Sequence, residues 1–568
     1  MTRHMPIPLD QAFVPVDAPS FGRLIKRLSD APNLSDTRRR DMISGLRRVA
    51  DALGLPEDDI PCDGRWLQPR LAKINAPMIG MKPKTWQNAV SNARSAMAHF
   101  GIVERRSRRA EDLDRFWRPL WDEVLISGDK TLPTALRRFI HFLNRMGVHP
   151  TNVCDEHATA YREALVLNEI SKDPDTAYRA AVNGWNLAGD RLAEWPSTRL
   201  SLPRRAVRIA LDESAFPASF TDDVETVLNK LAKPDPFDDA APSTPRRPAT
   251  IKQYRHQIKR FASHLANSGV AVETINSLQV VLDPGNAKQG LRQMLKRNDG
   301  VTNRDISQTA ALLRNLARLM GLPEDQRDAL ASLAKKVAQP AQNGMTDRSR
   351  ARLRVLQDPR HKNRLLTLPE HLFSKYRSTA QRAKMNALAR EDALAIAILL
   401  VCPIRVGSLA GINLGKHIQR PGDGRVFLVL EEEDTKTGRS IEFLLPADVV
   451  FLLDKHLATR CPYLCPAGTQ FLFPKRDGSA SIGPSELSSR ISKRIRKETG
   501  LEVNAHLFRH FAVMNWLDAN PGGYEVARRL LGHSDLSHTI NLYSGLEVTS
   551  ATKAFSDLVA DLRGGYSG

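Results

Sequence analysis

The stretch NAHLFRH, residues 504–510, opens a predicted helix and carries two histidines and an arginine. Asn504 is a favourable N-cap residue, and apolar residues then recur at helical spacing until the break at 520–522. His506 and Arg509 are three residues apart, so they share one face of this helix. An imidazole and a guanidinium are therefore directed to the same side of the element.

Polar residues also follow this helix at short intervals. A second predicted helix ends at Gly532, because glycine is a natural C′ residue, and His533 then lies in the next turn. Tyr543 comes one short helix after that turn. The region that ends at Tyr543 thus combines imidazole, guanidinium and phenol groups in one helical segment.

Two more charged residues lie upstream, each at a break in regular structure. The apolar run before Pro403 has helical length and must stop at this proline, so Arg405 lies just past the break. Segments 425–430 and 440–445 are predicted strands, and the turn between them carries Lys436 near its tip. Both cations are therefore presented from irregular backbone and not from a solvated helix face.

The order of these residues resembles that of the tyrosine recombinase (phage integrase) family. The resemblance covers about the last third of the chain, from near Thr367 to the end. It implies a site-specific DNA recombinase that is mainly α-helical, with a small β-sheet in its C-terminal domain. The residues that match the order of the family are Arg405, Lys436, His506, Arg509, His533 and Tyr543.

The implied reaction explains why such a site needs a tyrosine and two arginines. Breaking a DNA phosphodiester without hydrolysis requires a nucleophile that keeps the bond energy. Tyr543 can hold the 3′ phosphate as an ester until a 5′ hydroxyl returns, so the resemblance implies no ATP, metal or other cofactor. Arg405 and Arg509 are expected to bind the non-bridging phosphate oxygens with paired donors that lysine cannot provide.

The other three matched residues are expected to serve proton transfer and hydrogen bonding. Lys436 suits a general acid for the leaving 5′ oxygen, because a lysine on a turn can reach into the minor groove. His506 is expected to take the tyrosine proton and return it, and His533 to donate a hydrogen bond to the phosphate in the transition state. His510 is assigned a structural or supporting role.

Two positions depart from the family pattern. The family often has a carboxylate three residues after its first arginine, and Ser408 stands at that place in this chain. The interval from His533 to Tyr543 is also about one residue longer than its commonest version. The serine at 408 is expected to weaken the support of the site by neighbouring side chains. The longer interval is expected to shift the tyrosine nucleophile along its helix.

The charge of the chain favours a polyanionic partner. Its 568 residues include 83 Lys and Arg against 63 Asp and Glu, which gives a net charge of +20. Double-stranded DNA is the expected partner. The longest apolar stretch, 393–401, is too short to span a bilayer, so no membrane contact and a cytoplasmic, DNA-associated location are expected.

The resemblance also implies a homotetramer, or a mixed tetramer, acting on two DNA duplexes. In such an assembly the segment after Tyr543 is expected to dock on a neighbouring protomer. Its apolar residues are Ala554, Phe555, Leu558 and Leu562.

We predict six consecutive segments from helix patterns, prolines and charge. Amphipathic helices that end in glycine recur in the N-terminal two thirds, which indicates repeated helical domains. The third of them resembles the core-binding domain that precedes the catalytic domain in the family, and the two earlier ones are expected to be core-binding-like. The predicted segments are a helical domain at 1–110, a second helical domain at 111–232, a proline-rich linker at 233–249, a helical core-binding (DNA-binding) domain at 250–345, a basic linker at 346–366 and the catalytic domain at 367–568.

Three groups of basic residues are predicted to contact DNA phosphates. The basic linker 346–366 is expected to cross the DNA backbone between two lobes. A second group precedes the helix of His506, and a third lies in the N-terminal helical domains. The second group comprises Arg490, Lys493, Arg494, Arg496 and Lys497, and the third includes Arg38, Arg39, Arg40, Lys82, Lys84, Arg137 and Arg138.

Two other functions are compatible with the same residues. A type IB topoisomerase uses similar chemistry as a monomer, but the helical domain at 250–345 and the short tail favour recombination. A non-catalytic, sequence-specific DNA-binding protein is supported only by Ser408 and the long interval before Tyr543. The target sequence stays undetermined, because side chains that read bases are of the same types as those that hold phosphates.

Overall fold

The described part of the chain is mainly α-helical with one small β-sheet, which confirms the predicted fold class. The computed structural model describes residues 14–15, 17–106, 109–203, 210–238, 241–340, 344–377, 382–543 and 548–564. The chain forms two compact units, one of Met1–Leu202 with Asn343–Gly568 and one of Pro203–Gln342. Every described helix is too short or too polar to span a lipid bilayer.

Several helices in the N-terminal part of the first unit start at a side-chain cap. Ser20 and Ser35 accept backbone N–H groups of the first turn that follows them, and Asp173 does the same for a later helix. The helices are α1 (Phe21–Ser29), α2 (Asp36–Leu53), α3 (Gly64–Leu71), α4 (Pro83–His99), α5 (Trp117–Ile126), α6 (Leu132–Arg145), α7 (Asp155–Asn168) and α8 (Pro174–Arg191).

In the N-terminal part, α2 packs against α4 and α6 packs against α8, and each crossing uses a glycine. A Cβ at Gly45 of α2 would lie 2.7 Å from Cβ of Asn92 on α4. A Cβ at Gly184 of α8 would lie 2.7 Å from Cβ of Ala135 on α6. The helices approach this closely because glycine has no side chain there. Gly189 lies inside α8 and does not end it, unlike the helix-ending glycines that the sequence pattern indicates.

The second unit, Pro203–Gln342, has an apolar core of its own. Its helices are α9 (Ala218–Ala232), α10 (Pro248–Ala266), α11 (Leu278–Leu282), α12 (Pro284–Arg297), α13 (Arg304–Leu319) and α14 (Glu324–Lys336). The apolar face of α9 is buried in the same core as that of α10. This differs from the sequence-based boundary, which put 111–232 and 250–345 into separate domains, because hydrophobic burial joins the helices on both sides of the proline-rich segment.

Residues 346–366, predicted as a basic linker, instead form two helices. These are α15 (Asp347–Gln357) and α16 (Pro359–Leu366). Leu353 and Leu365 are buried in the apolar core of the C-terminal part. The segment is therefore packed structure, because its few apolar residues are spaced to face that core. Four of its arginines, Arg348, Arg350, Arg354 and Arg360, are exposed.

The C-terminal part continues with helices that surround this core. They are α17 (Leu368–Lys375), α18 (Ala383–Val401), α19 (Val406–Ala410), α20 (Leu414–His417), α21 (Ala447–Thr459), α22 (Pro484–Thr499), α23 (Leu507–Ala519), α24 (Tyr524–Leu531), α25 (Leu536–Tyr543) and α26 (Val548–Gly564). The apolar helix before Pro403 lies at the centre and is buried almost all round.

The sheet lies between α20 and α21 in the chain. Its strands are β1 (Ile418–Gln419), β2 (Phe427–Leu430) and β3 (Ile441–Leu444), antiparallel in the order β1-β2-β3. Leu428 lies opposite Ile418 on one side and Phe443 on the other. The two longer strands lie within the predicted segments, so the turn that carries Lys436 connects β2 to β3 as expected.

The loop after α3 contacts the C-terminal part within the first unit. Nδ2 of Asn75 donates to the carbonyls of Arg496 and Gly500, at 3.3 and 3.4 Å. A guanidinium nitrogen of Arg364 donates to the carbonyl of Pro77 at 3.0 Å. The loop thus adds a second hydrogen bond to the carbonyl of Arg496, which also accepts the N–H of Gly500, and binds the carbonyl of Gly500 just after α22.

Candidate active site

Arg509 is the most deeply buried cation of the predicted set, with 4% of its surface exposed. Its guanidinium donates to the carbonyl of Pro403 at 2.7 Å and to that of Leu531 at 2.8 Å. Burial, followed by repulsion from Arg405, lowers the pKa of Arg509 to about 10, so it stays charged at neutral pH. The helix break at Pro403 and the end of α24 therefore hold this guanidinium from two sides.

His533 lies against the same guanidinium. Its Nε2 is 3.3 Å from a guanidinium nitrogen of Arg509, and its Nδ1 is 3.0 Å from the hydroxyl of Thr539 on α25. Arginine can only donate, so Nε2 accepts, and a neutral His533 carries its proton on Nδ1 toward Thr539. The turn after Gly532, which has φ of +59°, brings the imidazole to this place.

Tyr543 is buried at the end of α25, with 1% of its surface exposed. Its hydroxyl is 3.0 Å from Nδ1 of His510. Burial raises the pKa of Tyr543, and burial together with the neighbouring histidines and Arg509 lowers the pKa of His510 to about 3. A neutral His510 therefore faces a protonated Tyr543 at neutral pH.

The contact of Tyr543 with His510 was missed by the sequence analysis, which gave His510 only a supporting role. A signal was present, because His510 lies four residues after His506 and so shares its helix face. The two imidazoles meet edge to face with ring centroids 4.8 Å apart. A row of three aromatic groups thus leads from His506 through His510 to the phenol.

His506 is exposed at the first turn of α23. Its pKa is lowered by partial desolvation first, and then by the positive charges of Arg509 and Arg405. Asn504 was predicted as the N-cap, but α23 begins at Leu507 with His506 as its N-cap. The side chain of Asn504, two residues earlier, accepts the backbone N–H of Leu507 at 2.9 Å.

Arg405 and Arg509 border one small cavity, which Ser408 and Thr435 also line. Arg405 immediately precedes α19 and is half-buried. Lys436 follows Thr435 directly, and its side chain is exposed. The structure thus brings the two arginines, the three histidines and Tyr543 into one region, with the turn of Lys436 at its edge.

The basic group before the helix of His506 is divided by the structure. Arg490 and Arg494 point inward and bind the buried carboxylate of Asp392, at 2.7 and 3.0 Å. Arg490 also binds Glu391 at 2.8 Å. The prediction that these two arginines form a basic surface is therefore wrong, because two buried carboxylates require cationic partners. The members that stay exposed are Lys493, Arg496 and Lys497.

The N-terminal basic residues are also divided between structural contacts and exposed positions. Arg138 is 3.3 Å from the buried carboxylate of Glu169, and Arg38 donates to the side chain of Asn92 at 3.1 Å. Arg39 binds Asp36. The exposed positions are Arg40, Lys82, Lys84 and Arg137.

Residues 374–548, which include the whole of this site, match the model of the phage integrase family. The chain therefore contains a phage integrase family domain at 374–548. The family resemblance noted in the sequence is thereby confirmed. No curated protein sequence matches the chain.

Among solved structures, this chain is similar to XerH site-specific recombinase bound to difH substrate in a pre-cleavage complex. The identity is 16% over 54% of this chain and 79% of that one, with a TM-score of 0.34. It is also similar to XerA recombinase, at 12% identity over 59% of this chain and 98% of that one, with a TM-score of 0.25. The assignment rests on the family match, because these TM-scores are low.

Proposed function

We propose that this protein cuts and rejoins DNA at specific sites through a 3′-phosphotyrosine intermediate. The observation that carries the proposal is the cavity shared by Arg405 and Arg509, which lies beside His533 and close to the buried pair of His510 and Tyr543. The match of this region to the phage integrase family supports it.

The arginines would bind the scissile phosphate. As the tyrosine oxygen attacks, negative charge grows on the non-bridging oxygens, and guanidiniums fixed in a partly buried site stabilise that charge. Arg509 is held by two carbonyls, so little reorganisation is needed. His533 would add a hydrogen bond once its Nε2 carries a proton and turns from Arg509 to the phosphate.

Tyr543 would form a bond from its oxygen to phosphorus while the bond from phosphorus to the 5′ oxygen breaks. Its hydroxyl is buried against His510, so it must leave that hydrogen bond to reach a phosphate. His506 would take the phenolic proton, because it is the exposed imidazole of the site and its lowered pKa keeps it neutral at pH 7.

Lys436 would give its proton to the departing 5′ oxygen. Its exposed side chain on the turn between β2 and β3 is free to enter the minor groove beside the cleaved bond. In the reverse step the 5′ hydroxyl attacks phosphorus, Lys436 recovers its proton and the tyrosine is released. The sequence of steps conserves bond energy and consumes no cofactor.

The proposal also covers the oligomeric assembly of the protein and its biological role. Helix α26 exposes 65% of Phe555, 53% of Leu558 and 58% of Leu562, which is unusual for large apolar side chains. The side chain of Ala554 lies outside the described part of the chain. We assign this helix to contacts between protomers of a DNA-bound tetramer, and the reaction to integration or excision of a mobile element on DNA in the cytoplasm and nucleoid.

Trapping of covalent protein on DNA tests the proposal. Target DNA nicked beside the cleavage point loses a short fragment after attack, so the phosphotyrosine accumulates and migrates with protein on a denaturing gel. Parent protein should give this species and Tyr543→Phe should not. Binding without any covalent species for the parent would identify a non-catalytic DNA-binding protein, and relaxation of supercoiled DNA without joining of two sites would identify a topoisomerase.

A further inference from the structure

Hydrogen bonds and ion pairs fix the residues just before Lys436, whereas the side chain of Lys436 itself is not fixed by such contacts from the described part of the chain. Among the described residues, no hydrogen bond or ion pair holds Nζ of Lys436, and its side chain is exposed. The place that Nζ can reach therefore depends on the backbone of the preceding residues. Those residues, Asp434 and Thr435, make several hydrogen bonds within the turn and to neighbouring helices.

The carboxylate of Asp434 is bound by two cationic or hydrogen-bonding side chains from α20. Nζ of Lys416 is 2.7 Å from Oδ2 of Asp434, and Nε2 of His417 is 3.2 Å from the same oxygen. Lys416 also binds Glu433 at 3.0 Å. His417 is only 4% exposed, so its contact with Asp434 is largely shielded from water.

The tautomer of His417 is fixed by the backbone. Its Nδ1 accepts the N–H of Asn413 at 2.9 Å, so the proton of the neutral imidazole is on Nε2 and is donated to Asp434. The side chain of Asn413 in turn accepts the N–H groups of Gly415 and Lys416, which start α20. The partner of Asp434 is therefore pre-oriented and needs no protonation.

The main chain of Asp434 is tied to the helix that follows Arg405. The hydroxyl of Ser408 donates to the carbonyl of Asp434 at 3.1 Å. Ser408 lies on α19, three residues after Arg405, at the position where the family often has a carboxylate. Through this bond the segment that presents one phosphate-binding arginine also fixes the turn that presents the lysine.

Thr435 closes the turn from within. Thr435 as a whole is 3% exposed. Its hydroxyl accepts the N–H of Arg439 at 3.0 Å and donates to the carbonyl of Arg439 at 2.9 Å. The turn around Lys436 is therefore closed on itself at one end and anchored to two helices at the other.

We propose that Asp434 is a positioning residue for Lys436. Held by Lys416, His417 and Ser408, it fixes the root of the turn so that Nζ of Lys436 reaches the leaving 5′ oxygen. This inference rests on the proposed role of Lys436 as general acid. In the family, a carboxylate three residues after the first arginine often supports the site from behind. In this chain we assign that support to Asp434 on the turn, whose carbonyl is bound by Ser408.

The test compares cleavage of ordinary DNA with cleavage of DNA whose bridging 5′ oxygen is replaced by sulfur. Sulfur leaves as a thiolate and needs no general acid, so a fault in acid delivery disappears on this substrate. We expect Asp434→Ala to cleave ordinary DNA roughly 10- to 100-fold more slowly than parent, because a misplacement of about 1 Å can cost about 100-fold. On the sulfur substrate the deficit should shrink to about threefold or less, with DNA affinity unchanged.

The matched control is Glu432→Ala, which removes an exposed carboxylate from the same turn. It should cleave both substrates at the parent rate. Should Asp434→Ala be poorly folded, Ser408→Ala removes one hydroxyl and leaves the ion pair intact. It should slow cleavage of ordinary DNA by roughly 2- to 12-fold, the equivalent of one hydrogen bond, and recover on sulfur.

Lys436→Ala separates failure of this inference from failure of the proposed function. If Lys436→Ala recovers on the sulfur substrate while Asp434→Ala, or Ser408→Ala in its place, stays equally impaired on both substrates, Asp434 does not position the acid. If Lys436→Ala itself does not recover, the general-acid assignment is overturned and the positioning role falls with it.

Discussion

Replacing Tyr543 by phenylalanine should abolish the chemistry and also weaken the fold by a measurable amount. The substitution removes the hydroxyl that is 3.0 Å from Nδ1 of His510, in a place where Tyr543 is 1% exposed. Since the pKa of His510 is about 3, its imidazole stays neutral at pH 7, and its Nδ1 loses its hydrogen-bond partner. An unsatisfied buried polar group costs about 1–3 kcal/mol, so the free energy of unfolding of the first unit should fall by about that amount.

Two measurements on the same variant check this reasoning. Urea unfolding of full-length protein, followed by tryptophan fluorescence, should show the loss of stability. DNA affinity should equal that of the parent, while the covalent species on denaturing gels should vanish. Tyr524→Phe, which removes a hydroxyl from the same subdomain, is the control and should keep the covalent species.

The stability measurement and the covalent-complex measurement test separate claims. A Tyr543→Phe protein that is as stable as the parent would show that the hydrogen bond to His510 contributes nothing in solution. Covalent complexes that persist in Tyr543→Phe would show that another residue attacks, and the assignment of the nucleophile would be wrong.

Four further predictions concern other parts of the molecule. Lys436→Ala should cleave ordinary DNA poorly and recover when the bridging 5′ oxygen is sulfur; equal impairment on both substrates would assign the lysine to binding. Arg405→Ala and Arg509→Ala should lose about 100-fold or more in cleavage and should not recover on sulfur, since charge on the non-bridging oxygens is unchanged; recovery would contradict phosphate binding. His456 is fully buried, and burial lowers its pKa to about 3, below its ordinary value of about 6.5 in the unfolded chain. The free energy of unfolding should therefore be fully present above pH 6.5 and fall by up to about 1.4 kcal/mol per pH unit toward pH 3. An unchanged dependence of stability on pH in His456→Phe would refute this. Lys84→Ala, at an exposed position, should reduce the salt dependence of DNA binding by about 0.9 in log-log slope if it contacts a phosphate, and an unchanged slope would leave the N-terminal helices to protein contacts.

The local elements of the site could be predicted because their signals are local. Glycine at 532 ends α24 in a left-handed conformation, and Pro403 follows the break after α18. The predicted strands around Lys436 pair as expected. Capping, proline geometry and alternation of apolar residues act over a few residues, so each can be read without knowing what packs against it.

The partners of buried polar groups could not be predicted in this way. Arg490 and Arg494 belong to a basic stretch in sequence but turn inward onto Asp392, about 100 residues away in the chain. A run of arginines is the same in sequence whether it faces solvent or a carboxylate. Only the folded chain shows which arginines meet a buried acid, and the predicted DNA-binding surface shrinks accordingly.

The sequence by itself determined the order of the candidate site residues along the chain, the family of the C-terminal domain and the local signals that end α24 and pair β2 with β3. Only the tertiary structure decided that Tyr543 faces His510, that residues 346–366 pack as helices and that Asp434 joins α19, α20 and the turn of Lys436. The physical reason is the range of the interactions. Caps and turns depend on neighbours in the chain, whereas burial and hydrogen bonding of polar groups depend on residues that only folding brings together.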